Sequence, residues 1–309
     1  MQARIPWLAF ASLALSMALV GLCLALSRPL AQLIPPLLLT WLRFALAAIA
    51  MVPWLRKPEL EPPLSRHTRG LLFLGSFFGN VLYTLCILAG LRWASAGTAG
   101  MVMAALPVTV ALLGWLLLRE PLTGRLGLAT GLSTLALLLF ALGSPERGHS
   151  APRGHWHGIP LDWLGVLLLA GALLCEAAYL VIGKRLTQRL APRRIAALVN
   201  LWGLALSTPF GLWSAAGFDF AAIRWPLWGS VVLYSLALGV CSVWLWMEGL
   251  RHVAASHAGV FTVMLPLATA VAGATLLGET LTPLQLVAYA LALAGLLLAV
   301  LPAASGHSR

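Results

Sequence analysis

The chain has 309 residues, of which 61% are hydrophobic and only 9% charged, and its formal net charge is +11. A water-soluble domain carries roughly a quarter charged residues, so this chain lacks the charge to cover a water-facing surface. In so apolar a background the positive balance is read as loop charge on one membrane face, not as a surface for nucleic acid.

Apolar runs of about twenty residues, enough to cross a hydrocarbon core roughly 30 Å thick, recur along the whole sequence. The first, 7–26, ends in "ALS" before Arg28 and has the outline of a cleavable signal. It is read as retained, because residues 7–24 shifted by 159 positions fall on 166–183, inside the sixth run. The second, 36–55, carries Trp41 and Arg43, and the third, 69–91, holds Asn80 and Tyr83 near its middle. The fourth, 95–118, combines small residues at Ala96, Gly97, Ala99 and Gly100 with a mid-span Pro107, and runs into "LREPLT". The fifth, 125–143, leads into a Pro/Gly/Ser-rich connection at 144–160 that contains His149 and the "HWH" of His155 to His157. The sixth, 161–183, holds Glu176 and Tyr179; the seventh, 195–214, holds Asn200; the eighth, 226–249, holds Tyr234. The ninth, 256–278, carries Pro266 and runs into "LGETLT", and the tenth, 283–302, precedes a polar tail at 303–309.

Helices are the expected form of these spans, since backbone polar groups in lipid must be satisfied within the segment. The alternating pattern of a membrane barrel strand is absent. With the N-terminus placed in the cytoplasm, the inner loops and ends collect 14 of the 20 Lys and Arg and the outer ones 5, Arg43 being the one within a span. That bias predicts both termini inside.

"GLRWASAGTAGMVMAALP" (Gly90 to Pro107) and "GLRHVAASHAGVFTVMLP" (Gly249 to Pro266) match at eight of eighteen positions without a gap. Glu120/Glu279, Leu122/Leu281 and Thr123/Thr282 continue the same offset of 159. This is a tandem duplication of a five-span unit. Five is odd, so the second copy must enter the membrane from the opposite side, the arrangement of transporters whose sites lie at the midplane between the copies. The expected fold is therefore an all-α membrane protein of ten transmembrane helices, in two inverted five-helix repeats around a central cavity. Its parts are a first repeat over 5–143, the outer connection 144–160, a second repeat over 161–302 and the tail 303–309.

The paired "GLR…AG…LP" stretches with "LREPLT" and "LGETLT" resemble the EamA repeats of the drug/metabolite transporter superfamily, over about residues 5 to 302. The resemblance implies ten helices, a central cavity and, mostly, export of small metabolites, amino acids or drugs across the bacterial inner membrane. It says little about the substrate. The family pattern also carries Glu at the positions of Glu120 and Glu279, as a structural mark. That agrees with their place at span ends, where each is expected to hydrogen-bond a helix start or a loop amide.

Ionisable residues within the membrane are costly and functional by default. Arg43 lies roughly 10–12 Å from the outer end of its span, and Glu176 roughly 10 Å from the inner end of its own, at about 1.5 Å per residue. At the offset of 159 Arg43 falls opposite Trp202 and Glu176 opposite Met17, so neither charge belongs to the repeated framework. Arg43 is the candidate anchor for a substrate anion, through a bidentate guanidinium; snorkelling or a bond to helix carbonyls is the alternative. Glu176 is the proton-coupling candidate, with a plain interhelical hydrogen bond as the alternative. Trp41, Asn80, Tyr83, Tyr179, Asn200 and Tyr234 fill out a candidate lining for an amphipathic organic solute, and each could instead bond a neighbouring helix. Pro107 and Pro266 are candidate helix breaks in tightly packed central spans.

No catalytic residue, cofactor or metal is expected. The four cysteines lie in apolar runs without ligand spacing, and the "HWH" loop is read as a mobile polar connection. A P-loop is absent, which excludes ATP-driven transport by this chain alone. The partners expected are a small-molecule substrate and the bilayer; ten helices can enclose a pathway without an oligomer. An uptake permease is the first alternative to an exporter. A membrane-embedded enzyme is a poorer one, since no cluster of His, Asp, Glu or Cys shares one depth.

Overall fold

A computed structural model of the chain describes residues 7–56, 64–94, 96–143, 155–156, 159–220, 223, 225–276 and 282–301. The described residues are helical nearly throughout, apart from short turns and a two-residue antiparallel pairing of His155–Trp156 with Ile159–Pro160. The helices in chain order are α1 (Trp7–Leu33), α2 (Pro36–Ala50), α3 (Arg66–Ser76), α4 (Tyr83–Trp93), α5 (Ala96–Met103), α6 (Leu106–Leu118) and α7 (Gly124–Gly143). They continue as α8 (Leu161–Thr187), α9 (Pro192–Ala216), α10 (Trp225–Ser235), α11 (Val243–His252), α12 (Ala255–Val260), α13 (Met264–Leu276) and α14 (Pro283–Val300).

Among the described residues eight helical stretches are long and apolar enough to cross a membrane, and two shorter apolar helices run over Trp7–Cys23 and Pro36–Ala50. Large apolar side chains stand exposed on their outer faces, Leu8, Trp115, Leu116, Leu167, Trp213 and Leu233 among them. In water so wide an apolar surface would drive aggregation, whereas in lipid it meets a matching solvent. The chain is a multi-pass membrane protein. Most of the connection 144–160, the tail 303–309 and Glu279 lie outside the described residues.

The expected second span, 36–55, is α-helical only to Ala50; Val52–Leu55, which contains Pro53, continues as a tighter 3₁₀ turn. The third starts earlier than expected, at Arg66, because Ser65 caps it by accepting the Thr68 N–H at 3.1 Å. The fourth and ninth spans are broken rather than kinked. Pro107 sits in the first turn of α6, after a break at Ala104 and Ala105, and Pro266 in the first turn of α13, after the 3₁₀ turn Phe261–Val263. A proline at a helix start gives up an N–H that had no partner there. Two further interruptions carry no proline: α3 and α4 are joined by a π-helical segment, Phe77–Leu82, and α10 and α11 by another, Leu236–Ser242.

In the bundle α7 lies on α14, α2 on α9, α4 on α8, α6 on both α8 and α12, and α1 on both α11 and α13. Small residues set the close approaches, as expected where lipid offers no hydrophobic drive between helices. Gly90 faces Leu169 and the Gly165 carbonyl, and Gly249 faces Leu13 and the Ala9 carbonyl; a Cβ at either would stand within 3.3 Å of those atoms. Gly203 takes the edge of the Phe44 ring, where a Cβ would stand 2.5 Å from the nearest ring carbon.

Polar bonds tie the end of the bundle that is richest in Lys and Arg. The Glu120 carboxylate accepts the Ala255 N–H at 2.8 Å, the Ser256 N–H at 2.9 Å and the Ser256 hydroxyl at 2.7 Å, so it holds the start of α12 in the expected structural role. Lys184 Nζ donates to the Leu250 carbonyl at 2.7 Å, and Arg185 to the Leu117 carbonyl at 2.6 Å. Arg119 ends α6 in the left-handed region, at φ 56°.

Candidate functional site

The middle of the bundle is organised by the two π segments. A π turn holds an extra residue and loosens the i→i−4 ladder, so backbone carbonyls and side chains at such a turn can face other partners. Gly79, in the first segment, lies against the Tyr179 ring: a Cβ there would stand 2.7 Å from two ring atoms. Gly239, in the second, lies against Ala47 of α2, the Asn200 side chain and the Arg43 carbonyl. Each segment thus brings a helix without a side chain up to one of the expected polar residues.

Five of the expected site residues come together there. Arg43, half-buried on α2, has the phenols of Tyr234 and Tyr179 as its electrostatic neighbours. Its guanidinium carbon lies 4.1 Å from the centre of the Phe44 ring. Glu176, half-buried on α8, has Tyr179 and Tyr83 as its electrostatic neighbours. Tyr179 is therefore the common neighbour of the cation and the carboxylate. Arg43 and Glu176 form no ion pair with each other; they share Tyr179, while Tyr234 neighbours Arg43 and Tyr83 neighbours Glu176.

The other lining candidates are placed differently. Asn80 lies within the first π segment; its Nδ2 has no hydrogen-bond partner among the described residues, and its carbonyl accepts the Thr84 hydroxyl. Asn200 is 1% exposed, and its Nδ2 donates to the carbonyls of Ala196 and Gly239, both at 2.9 Å. It thus serves the second π segment, taking up a carbonyl of the interrupted ladder. Trp41 turns onto α9, where its Nε1 donates to Thr208 at 3.2 Å and its side chain fills the space left by Gly211. The sequence reading did not single out Gly79, Gly239 or Phe44. The available signal was a glycine at the centre of "FFGNVL" and another in "LALGVCS", inside spans that otherwise hold large side chains.

Chemically this is a patch of one guanidinium, one carboxylate and three phenols set in an apolar bundle. It can offer a bidentate donor to an anion, hydroxyls of either sense, and a carboxylate that can hold a proton or a cation. Among the described residues no three His, Cys, Asp or Glu side chains gather as a metal site would require.

The comparisons with known proteins fit this architecture. A protein of known crystal structure superposes with a TM-score of 0.75 over 96% of this chain and 99% of its own, at 19% identity, a likeness of fold. The uncharacterized transporter YetK of Bacillus subtilis is 27% identical over 297 residues, 95% of this chain and 87% of the relative. The threonine/homoserine exporter RhtA of Escherichia coli is 32% identical over 182 residues, 54% of this chain and 59% of its own length. The model of the EamA-like transporter family matches residues 7–142 and again 163–301. With both halves of the chain matched, this protein belongs to the EamA-like transporter family.

Proposed function

We propose that this transporter is a secondary exporter of a small amphipathic metabolite, an amino acid or a comparable organic solute, working by alternating access across the bacterial inner membrane. In this reading the molecule has ten transmembrane helices in two inverted halves, with both termini in the cytoplasm. The eight membrane-length helices and the two shorter apolar ones supply that number. The packing supports the two-fold relation. Exchange each helix for its equivalent 159 residues away, and the contact of α1 with α11 becomes that of α8 with α4, while α2 on α9 and α7 on α14 return to themselves. The π segments also start 159 residues apart, at Phe77 and Leu236.

The observation that carries the reading is the meeting of Arg43 and Glu176 at Tyr179, between the two π segments. Arg43 anchors a carboxylate or other anionic group of the solute. Glu176 exchanges a proton as the two halves rock, and Asn80, Tyr83, Tyr179 and Tyr234 line the space between. The direction is supported by the relative named a threonine/homoserine exporter.

The test is untargeted mass spectrometry of culture media from cells overproducing the wild type or Glu176→Gln. A metabolite that accumulates outside with the wild type alone names the substrate and supports the role of Glu176. Equal accumulation with both removes Glu176 from the coupling. No change in either medium, with both proteins confirmed in the membrane, overturns export and favours an uptake permease.

A further inference from the structure

Away from the mid-membrane patch, a hollow of about 170 Å³ opens where α7 and the α12–α13 span begin and α14 ends. Thr123, Arg125 and His257 give it a polar side, and Leu126, Leu298 and Leu301 an apolar one. Arg125 and His257 are electrostatic neighbours. Neither makes a hydrogen bond or an ion pair among the described residues. Arg125 therefore brings five N–H donors to the edge of the cavity with no acceptor among the described residues. The carboxylate in reach of His257 is Glu120, but both its oxygens are already taken up by the start of α12.

A guanidinium and an imidazole N–H, facing one hollow, suit an anion. The depth of the hollow and its rim say which kind. It lies at the ends of three membrane-length helical stretches, and its leucines run from buried Leu126 to exposed Leu301. The framework does not require the basic pair either: at the offset of 159, Arg125 falls on Leu284 and His257 on Thr98.

The geometry points to a phosphate-binding site, occupied by the phosphodiester of an anionic phospholipid, with Arg125 and His257 as its donors and the leucines beside the first carbons of the acyl chains. Basic pockets between transmembrane helices on the side rich in Lys and Arg bind anionic headgroups by this chemistry. A guanidinium suits a phosphate because two N–H groups meet two oxygens at once. The site is separate from the transport patch and does not depend on which solute is carried.

The test uses the full-length protein purified in detergent, with its melting temperature followed as phosphatidylglycerol, phosphatidylcholine or inorganic phosphate is added. The expected result is a saturable rise with phosphatidylglycerol, little with phosphatidylcholine, and a half-saturation concentration about tenfold higher for Arg125→Gln and for His257→Gln. A saturable rise with inorganic phosphate that the same variants weaken would keep the phosphate site and assign it to a soluble ligand. Equal responses to the two lipids, or variants that respond as the wild type does, would overturn it. The two variants are read independently, each against its own melting temperature without additive, so loss of folding in one leaves the other to decide.

Discussion

The two halves of the chain agree in framework and differ in charge. The π segments, the broken spans and the glycines at positions 90 and 249 recur at an offset of 159 residues, each in the same structural role. Arg43, Glu176, Lys184, Arg185, Arg125 and His257 do not recur; opposite them stand Trp202, Met17, Ala25, Leu26, Leu284 and Thr98. The difference separates two kinds of constraint. Much of what both halves need in order to cross and pack is repeated, whereas the residues proposed to meet a solute, a proton or a lipid headgroup occur once.

Substitutions at packed or hydrogen-bonded helix contacts should then cost stability, while those at Arg43 and Glu176 should cost transport and leave the fold standing. The largest framework effect is expected at Glu120, where Glu120→Ala strands three donors at the start of α12. A loss of about 3 kcal/mol is expected in denaturation of the detergent-solubilised protein. A loss under about 1 kcal/mol would remove Glu120 from the framework. Gly203→Ala comes next, at about 2 kcal/mol, because its Cβ would overlap the Phe44 ring. Adding Phe44→Leu should return part of that loss, and a strictly additive double variant would break the ball-and-socket reading of this contact. Asn200→Ala should cost about 1 kcal/mol, the scale of hydrogen bonds between membrane helices, by releasing the carbonyl of Gly239. The smallest effect is a gain: Arg119→Gly should add up to about 1 kcal/mol, since glycine has no Cβ to strain at φ 56°. The second half already carries glycine at the equivalent position, Gly278. A lower melting temperature for Arg119→Gly would mean that the side chain does more for the fold than the backbone strain costs.

Eight spans were legible in the sequence because a run of twenty apolar residues is a signal on the scale of the whole bilayer, and most helix ends fell within a few residues of expectation, although α1 runs to Leu33 where 26 was expected and α2 stops at Ala50 where 55 was. Glu120 was legible from its place beside a turn. The π segments were not, since no residue type specifies an extra residue per turn; their glycines hint at a close approach without saying to what. Arg43 and Glu176 stood out because a charge in lipid is expensive, yet their shared neighbour Tyr179 emerges only once the helices are packed into the bundle. Asn200 and Trp41 show the limit most clearly. A polar or aromatic residue in a span declares that it wants a partner, but whether that is a carbonyl of the next helix or a solute depends on facing, which the linear pattern does not encode. The hollow at Arg125 and His257 joins residues 132 positions apart and was invisible for the same reason.

The fit of Trp41 into the space left by Gly211 reaches beyond this one molecule. Bulk on α2 is matched by its absence on α9, so the pair behaves as a single volume shared between two helices. A larger residue at 211 can be accommodated only by a smaller one at 41. Across homologous sequences the two positions should therefore drift as a coupled pair, with side-chain size traded from one helix to the other while their total stays nearly constant.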